Sequence, residues 1–178
     1  FSKIQGFLKT PAADKVCLVF GLRRTGKTTL LKQLVLAMNE EEQKSAIYIK
    51  ASTENTIEEL NADLKIANKL KYKYVFIDEI TLIEKFIDNA ALLSDVYAVQ
   101  GMKIVLSGTD SLGFWFAQNE ELYDRAVTVH TTFIPFREYS RLLKIDDIDE
   151  YIRYGGTLKA GETNFEDTDA NAFDASFR

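Results

Sequence analysis

The fold of this chain is decided by a stretch near its N-terminus that reads Val16-Cys17-Leu18-Val19-Phe20-Gly21-Leu22-Arg23-Arg24-Thr25-Gly26-Lys27-Thr28. Its last eight residues fit the pattern G-x-x-x-x-G-K-[ST], which is typical of a phosphate-binding P-loop. The five apolar residues before the loop predict a strand that is buried on both faces. After the loop, apolar residues recur at helical spacing: Leu30, Leu31, Leu34, Val35 and Met38. Strand, glycine-rich loop and helix therefore follow one another in the order that a P-loop requires.

The residue types in the loop suit the binding of a triphosphate. Gly21 and Gly26 let backbone N–H groups approach phosphate oxygens without a Cβ in the way, and the helix that follows offers its unpaired N-terminal N–H groups. Lys27 supplies a mobile cation for the β- and γ-phosphates, and the Thr28 hydroxyl is a ligand for Mg²⁺. The residues predicted to bind nucleotide in this segment are Gly21, Arg23, Arg24, Thr25, Gly26, Lys27, Thr28 and Thr29.

A second motif, Tyr74-Val75-Phe76-Ile77-Asp78-Glu79, joins an apolar strand to two adjacent carboxylates. In a parallel sheet the carboxyl ends of the strands meet at the ligand crevice, so this pair is expected beside the P-loop. Asp78 is predicted to hold Mg²⁺, mostly through its water shell, and Glu79 to orient and deprotonate the attacking water. Because neighbouring strand residues point to opposite faces, the strand must end at Asp78 for both to reach the site. The alternative is a polar strand end that only begins a turn.

Two later segments carry further polar candidates. An apolar run over residues 104–106 leads into Ser107 and Thr109, whose hydroxyls could sense the γ-phosphate or hold the catalytic water. The alternative is a hydroxyl-rich cap for the helix predicted over 112–122, a role that Asp110 or Ser111 would suit. Arg125, just before the last predicted strand, could reach a γ-phosphate in its own subunit or in a neighbour's. The competing interpretation of Arg125 is an ion pair with Asp124 or with another surface acid.

Apolar runs alternate with helical patterns along the chain. Strands are predicted at 15–21, 46–52, 74–80, 102–108 and 126–134, and helices at 27–40, 55–71, 83–100 and 112–122. This alternation favours an α/β fold of three layers, in which a mostly parallel five-stranded sheet carries helices on both faces. After Pro135 two short amphipathic helices are predicted, at 136–143 and 148–154.

Length and composition indicate one domain with an appendage. The chain has 178 residues, is 46% hydrophobic and 28% charged, and lacks an apolar run of membrane-spanning length. We expect residues 1–135 to form a P-loop ATPase domain, and residues 136–178 to form a helical extension with an acidic tail that begins a truncated further region. Since the first residue is not Met, residues are also expected upstream. A single cysteine, Cys17, forms no internal disulfide, and the expected compartment is the cytoplasm.

The remaining features exclude several other chemistries. The net charge of −5 gives no overall electrostatic drive toward nucleic acid, and a lysine cluster over residues 65–73 is explained by a solvated helix face, with a nucleic-acid role as the alternative. One histidine, His130, and one cysteine cannot build a His-rich or Cys-rich metal site. The run Asn68-Lys69-Leu70-Lys71 departs from the guanine-reading pattern Asn-Lys-x-Asp at its last position, which favours ATP over GTP.

Together these motifs resemble a family of prokaryotic AAA-like P-loop ATPases, close to the archaeal ATPase and STAND-type groups. The match extends over roughly residues 15–156, and its most specific segment is Ile134-Pro135-Phe136-Arg137-Glu138-Tyr139. The resemblance implies an N-terminal ATPase domain of the ASCE type, in which the strand of Ser107 separates the Asp78 strand from the P-loop strand. It also implies that a winged-helix region and a further domain, sometimes nuclease-like, follow the ATPase domain.

The predicted function is Mg²⁺-dependent binding and hydrolysis of ATP, coupled to motion of the absent C-terminal domains. One alternative is a switch loaded with ATP or ADP that has negligible turnover, and a weaker one is a small-molecule P-loop kinase. Glu79 beside Asp78, together with the lack of an Arg-rich lid segment, favours water activation over kinase chemistry. The expected partners are ATP or ADP, a second copy of the chain, and nucleic acid through the absent domains, with no membrane.

Overall fold

The computed structural model describes residues 1–11, 14–84, 86, 90–109, 111–112 and 125–154. The chain divides into two units, Phe1–Thr131 and Thr132–Arg178. The helix predicted over 112–122 and the predicted acidic tail lie outside the described residues, apart from Leu112, as do Asp110 and Asp124.

The first unit is built on a five-stranded sheet. Its strands are β1 Val16–Gly21, β2 Ala46–Lys50, β3 Tyr74–Asp78, β4 Lys103–Gly108 and β5 Ala126–Thr131. The spatial order is β2-β3-β4-β1-β5, and all four neighbouring pairs are parallel. The predicted sheet is confirmed and is parallel throughout. The order implied by the resemblance is confirmed as well, because β4 lies between β3 and β1.

The helices of the first unit are α1 Ser2–Lys9, α2 Lys27–Leu36, α3 Glu40–Lys44 and α4 Ile57–Lys69, with a 3₁₀ turn at Ile80–Leu82 and a π-helical segment at Leu93–Ala98. The prediction of one helix over 27–40 is wrong, because α2 ends at Leu36 and a separate helix follows. At that junction the Asn39 side chain accepts from the Glu42 N–H, and the Glu42 carboxylate accepts from the Asn39 N–H. Such a reciprocal capping box starts a new helix.

Two further differences concern helices. No helix was predicted for the first residues of the chain, yet α1 is present there and buries Ile4, Phe7 and Leu8. The helix predicted from residue 83 begins later, because Ile83 is extended, with φ −80° and ψ 120°. No described helix has the length and apolar character needed to cross a membrane.

Each face of the sheet has its own apolar core. Leu18, Ile77 and Leu106 pack on one face with residues of α4 and of the π-helical segment. Cys17, Val19 and other strand residues pack on the opposite face with α1 and α2. Burial raises the pKa of the Cys17 thiol to about 12, so the thiol stays protonated as a core residue. The three predicted layers are therefore present, and they leave the carboxyl ends of the strands to build the site.

The described part of the second unit contains α5 Phe136–Leu143 and α6 Ile148–Tyr154, with the predicted bounds. The Tyr151 ring packs edge-on against Phe136 and Tyr139, with ring centroids 5.3 and 5.1 Å apart. The Tyr151 hydroxyl donates to the carbonyl of Ile134 at 2.8 Å. The two helices of this unit are thus held together by aromatic contacts.

Candidate nucleotide-binding site

The P-loop connects β1 directly to α2. Arg24 and Gly26 have φ of 67° and 84°, which reverse the chain so that α2 begins at Lys27. Gly26 carries no side chain that could cap the helix, so the backbone N–H groups of the first turn are available to a ligand. A helix N-terminus in this position attracts anions through its dipole and its N–H groups. The loop therefore has the backbone geometry of a phosphate cradle.

Lys27 lies over its own loop. Its Nζ donates to the carbonyl of Gly21 at 2.8 Å and to that of Leu22 at 2.6 Å. The side chains of Arg23, Arg24 and Thr29 are exposed. The ammonium group is thus already at the loop in which a phosphate would bind.

The end of β5 braces the loop from the side. The Thr131 hydroxyl donates to the carbonyl of Phe20 at 3.1 Å and lies 2.7 Å from the Thr25 hydroxyl, which in turn donates to the Leu22 carbonyl at 2.9 Å. The backbone of Thr131 also passes close to Gly21. Sequence reasoning did not single out Thr131, because only the parallel pairing of β1 with β5 brings it to the loop.

Asp78 is the centre of the second half of the site. Its carboxylate is fully buried and accepts hydrogen bonds from three hydroxyls on three different elements. Thr28 at the start of α2 donates to Oδ2 at 2.8 Å, Tyr48 of β2 donates to the same oxygen at 2.7 Å, and Ser107 of β4 donates to Oδ1. The two residues predicted as metal ligands, Thr28 and Asp78, are therefore in direct contact.

Glu79 departs from the strand immediately after Asp78. β3 ends at Asp78, as the predicted arrangement requires, and Glu79 takes a left-handed conformation with φ 59° and ψ 39°. Its side chain is exposed, and its N–H donates to the Ser107 hydroxyl at 3.0 Å. The turn thus separates a buried carboxylate from an accessible one within two residues.

The two hydroxyls predicted on β4 occupy different environments. Ser107 is fully buried and its hydroxyl bridges the Asp78 carboxylate to the backbone of Glu79. Thr109 is half-buried, and its hydroxyl lies 2.7 Å from that of Ser111. The Thr109 carbonyl accepts from the N–H of Leu112 at 3.0 Å, as expected where a helical turn begins. Of the two, Thr109 is the one with access to solvent.

Arg125 lies away from the other candidates. Its carbonyl accepts from the Val16 N–H at 2.9 Å, at the amino ends of β1 and β5. Since β1 has six residues, about 20 Å of strand separates Arg125 from the loop at the carboxyl edge. Its guanidinium pairs with Asp95, and the two side chains are 39% and 51% exposed. An ion pair with a surface acid is thus what the structure shows for Arg125, and reaching a γ-phosphate from this edge requires a neighbouring subunit.

Tyr48 is a site residue that sequence reasoning missed. Burial is the largest cause that raises the pKa of the Tyr48 phenol. The hydrogen bond to Asp78 and the negative charges of Asp78 and Glu79 raise this pKa further. The phenol is therefore a hydrogen-bond donor at neutral pH. The signal was an aromatic residue within the strand predicted at 46–52. Only the pairing of β2 with β3 brings this tyrosine to Asp78.

The oxygen donors at this edge fit Mg²⁺. A hydroxyl from Thr28 and a carboxylate from Asp78 are hard ligands, and Mg²⁺ usually takes one or two such groups while keeping waters and phosphate oxygens. Over the described ranges of the chain, no cluster of three or more His, Cys, Asp and Glu side chains could hold a metal by itself. The donor set therefore suits a cation that is shared with a nucleotide.

A family model described as AAA domain matches residues 13–140, which is most of the chain. This chain belongs to the AAA domain family. The family match agrees with the resemblance to AAA-like P-loop ATPases and supports nucleotide binding of the ATPase type.

Solved structures of other AAA-like proteins share the fold. The Saccharomyces cerevisiae Hsp104:casein complex in its extended conformation matches with a TM-score of 0.56 at 18% identity, over 86% of this chain and 29% of that one. The S. cerevisiae Hsp104-ADP complex matches with a TM-score of 0.56 at 16% identity, over 86% and 24%. Caenorhabditis elegans PCH-2 matches with a TM-score of 0.53 at 17% identity, over 86% and 46%. This AAA domain chain thus spans less than half of each of these proteins. No curated protein matches the chain.

Proposed function

We propose that this AAA domain binds ATP together with Mg²⁺ and hydrolyses it, and that hydrolysis drives the movement of further domains. The observation behind this proposal is the pair formed by buried Asp78, in contact with Thr28 of the P-loop helix, and exposed Glu79 beside it. A carboxylate that holds a metal needs a fixed position, whereas a carboxylate that activates water must be accessible to it. The turn at Glu79 leaves Asp78 buried and Glu79 exposed.

Nucleotide binding begins at the P-loop. Incoming phosphates replace the carbonyls of Gly21 and Leu22 as partners of the Lys27 ammonium. The first-turn N–H groups of α2 donate to phosphate oxygens along the helix axis. Because these groups are already at the loop, binding requires little rearrangement of the backbone.

The metal would be held between Thr28 and Asp78. When bound, Mg²⁺ neutralises charge on the phosphates and orients them. Ser107 and Tyr48 keep the Asp78 carboxylate aimed at Thr28 through hydrogen bonds to its two oxygens.

Glu79 would act on water. Its exposed carboxylate orients a water molecule toward the γ-phosphate and accepts its proton. The Ser107 hydroxyl fixes the backbone of Glu79 by accepting its N–H, so the base and the metal ligand share one buried support. We also propose a cytoplasmic location, in keeping with a lone cysteine that is buried as a core residue.

A second candidate is a switch that holds ATP or ADP with negligible turnover. One observation favours it, namely that Arg125, the predicted catalytic cation, lies at the opposite edge of the sheet from the P-loop of the same chain. An isolated subunit would then bind nucleotide without the arginine that speeds hydrolysis.

Two substitutions separate binding from hydrolysis. Lys27→Ala is expected to weaken ATP binding by about 2–5 kcal/mol, since it removes the side-chain cation from the phosphates. Glu79→Gln is expected to retain ATP binding but to lose roughly 10²–10⁴ in turnover, the usual contribution of a general base. Calorimetry with ATP and steady-state phosphate release measure the two effects.

Matched controls lie on exposed helix surfaces of the same unit. Lys32→Ala on α2 and Glu58→Gln on α4 change the same charges away from the site and should leave both measurements unchanged. Unaltered affinity in Lys27→Ala would remove the P-loop assignment. Wild-type turnover in Glu79→Gln would exclude Glu79 as the base, and wild-type protein that binds ATP without ever hydrolysing it would favour the switch.

A further inference from the structure

Tyr48 contacts the buried carboxylate of the site from a strand that carries none of the predicted site residues. β2 is an outer strand of the sheet and pairs with β3 so that Tyr48 lies opposite Phe76 and Lys50 opposite Asp78. Since strand residues two apart share a face, Tyr48 lies on the same face as the Asp78 side chain. Its hydroxyl donates to Asp78 Oδ2 at 2.7 Å.

The two neighbours of β3 hold the carboxylate from opposite sides. β4 supplies the Ser107 hydroxyl to Oδ1, and β2 supplies the Tyr48 hydroxyl to Oδ2. Thr28 donates to that same Oδ2 from α2 at 2.8 Å. With one donor from each side, rotation of the carboxylate about its Cβ–Cγ bond would break both strand-derived hydrogen bonds at once.

Tyr48 fixes the position of Oδ2, the Asp78 oxygen that Thr28 also contacts. Without Tyr48, Ser107 would be the only strand residue that holds the carboxylate, and the position of Oδ2 would depend on its contact with the Thr28 hydroxyl alone. Groups that orient metal ligands in this way commonly change metal affinity by about 10–100-fold when they are removed.

We propose that Tyr48 is a positioning residue for the divalent cation of this site. Its phenol aims Asp78 Oδ2 at Thr28 and so sets how strongly Mg²⁺ tightens the binding of nucleotide. This inference rests on the proposed function, since it presupposes a Mg–nucleotide complex at Thr28 and Asp78. Tyr48 acts through Asp78 and has no chemical step of its own.

The test measures binding rather than turnover. The dissociation constant of the β,γ-imido analogue of ATP is determined by calorimetry for wild type and Tyr48→Phe, once with Mg²⁺ and once with excess EDTA. The quantity compared is the ratio of the EDTA value to the Mg²⁺ value. Tyr48→Phe is expected to lower this ratio by roughly 10-fold, at the lower end of the range for groups that orient metal ligands. The affinity in EDTA should stay within about twofold of wild type, because the phosphate cradle is intact.

Tyr97 provides a matched control. It is a buried tyrosine whose hydroxyl donates to Asn61, and it belongs to the core on the opposite face of the sheet. Tyr97→Phe removes one phenol hydrogen bond from the same unit and should leave the ratio unchanged even if it lowers the melting temperature.

A second comparison uses Asp78→Asn with and without Tyr48→Phe. If Tyr48 acts through Asp78, the added substitution changes the ratio no further.

The outcomes separate this inference from the function it rests on. A wild-type ratio near one would remove Mg²⁺ from the proposed function and the inference with it. A large wild-type ratio that is unchanged in Tyr48→Phe would overturn the role of Tyr48 alone. An equal drop in Tyr97→Phe, or a further drop when Tyr48→Phe is added to Asp78→Asn, would also overturn it, because the effect would then reflect general destabilisation.

Discussion

At position 21 the end of β5 occupies the space in which a side chain would begin. A Cβ built on Gly21 would lie 2.2 Å from the carbonyl oxygen of Thr131 and 2.3 Å from its hydroxyl. These atoms belong to a paired strand and cannot withdraw without disturbing the sheet. Gly21 therefore serves the close packing of β5 against the P-loop as well as the approach of a phosphate.

We expect Gly21→Ala to destabilise the domain by about 1–3 kcal/mol or more, as overpacking of a buried site does. Urea unfolding followed by circular dichroism measures the change. Gly26→Ala is the comparison within the same loop, since Gly26 has φ 84° and nothing within 4 Å of a built Cβ. Its cost should be limited to the roughly 1–2 kcal/mol of a left-handed backbone. A Gly21→Ala protein as stable as wild type would contradict the close approach of Thr131.

Among the elements, α1 was not predicted. It covers one core of the sheet with Ile4, Phe7 and Leu8, and Lys3 Nζ donates to the carbonyl of Thr128 at 2.8 Å. Gly6 interrupts its helical pattern, since glycine is the weakest helix former after proline. Packing against the sheet outweighs this local preference, which is why the helix forms where the sequence pattern is weak.

Gly6→Ala should stabilise the domain by about 0.5–1 kcal/mol, because alanine is the better helix former and nothing lies within 4 Å of its Cβ. Gly101→Ala serves as the opposite case. Gly101 also has open space, but its φ of 93° is one that alanine adopts only with strain, so this variant should be less stable than wild type. The midpoints of urea unfolding should move in opposite directions. A Gly6→Ala variant less stable than wild type would argue against the helical assignment of α1, and a Gly101→Ala variant more stable than wild type would contradict the positive φ of Gly101.

The element boundaries followed from local signals where those signals were strong. Both described capping boxes can be seen in the sequence, as Thr56 with Glu59 and as Asn39 with Glu42. Neither box was used to set the predicted bounds, and the helix predicted at 27–40 extends past its last apolar residue, Met38. The five strands were found to within three residues at each end, because fully buried parallel strands are continuous apolar runs.

Across the whole sheet, the candidate site residues lie at opposite ends of the strands. The P-loop, Asp78 and Glu79 lie at the carboxyl edge, and Arg125 lies at the amino edge, where it pairs with Asp95. An arginine at that edge can complete a site only in another subunit. Assembly therefore decides whether Arg125 is catalytic or only part of a surface ion pair, whose contribution to stability is about 0–1 kcal/mol.

We predict that Arg125 acts across a subunit interface, and that Arg125→Ala lowers turnover of the associated full-length protein by about 10³–10⁵, as loss of an arginine finger does. Mixing Arg125→Ala with Glu79→Gln should restore activity, since an intact Glu79 in one subunit then meets an intact Arg125 in the other. Phosphate release is measured as a function of mixing ratio. Arg141→Ala, an exposed arginine of α5, should be active without mixing. Full activity of Arg125→Ala alone would leave only the ion pair with Asp95.

The sequence by itself determined the parallel sheet, the P-loop and the carboxylate pair that ends β3. These depend on contiguous residues, whose apolar runs, glycines and acids report their own local conformation. Tertiary structure alone decided that Tyr48 and Thr131 join the site, that Ser107 is buried beneath Asp78 and Glu79, and that Arg125 lies at the far edge. Each of these depends on which strands are neighbours and in what register. Long-range packing sets both, and a shift of one residue would turn every side chain of a strand to the other face.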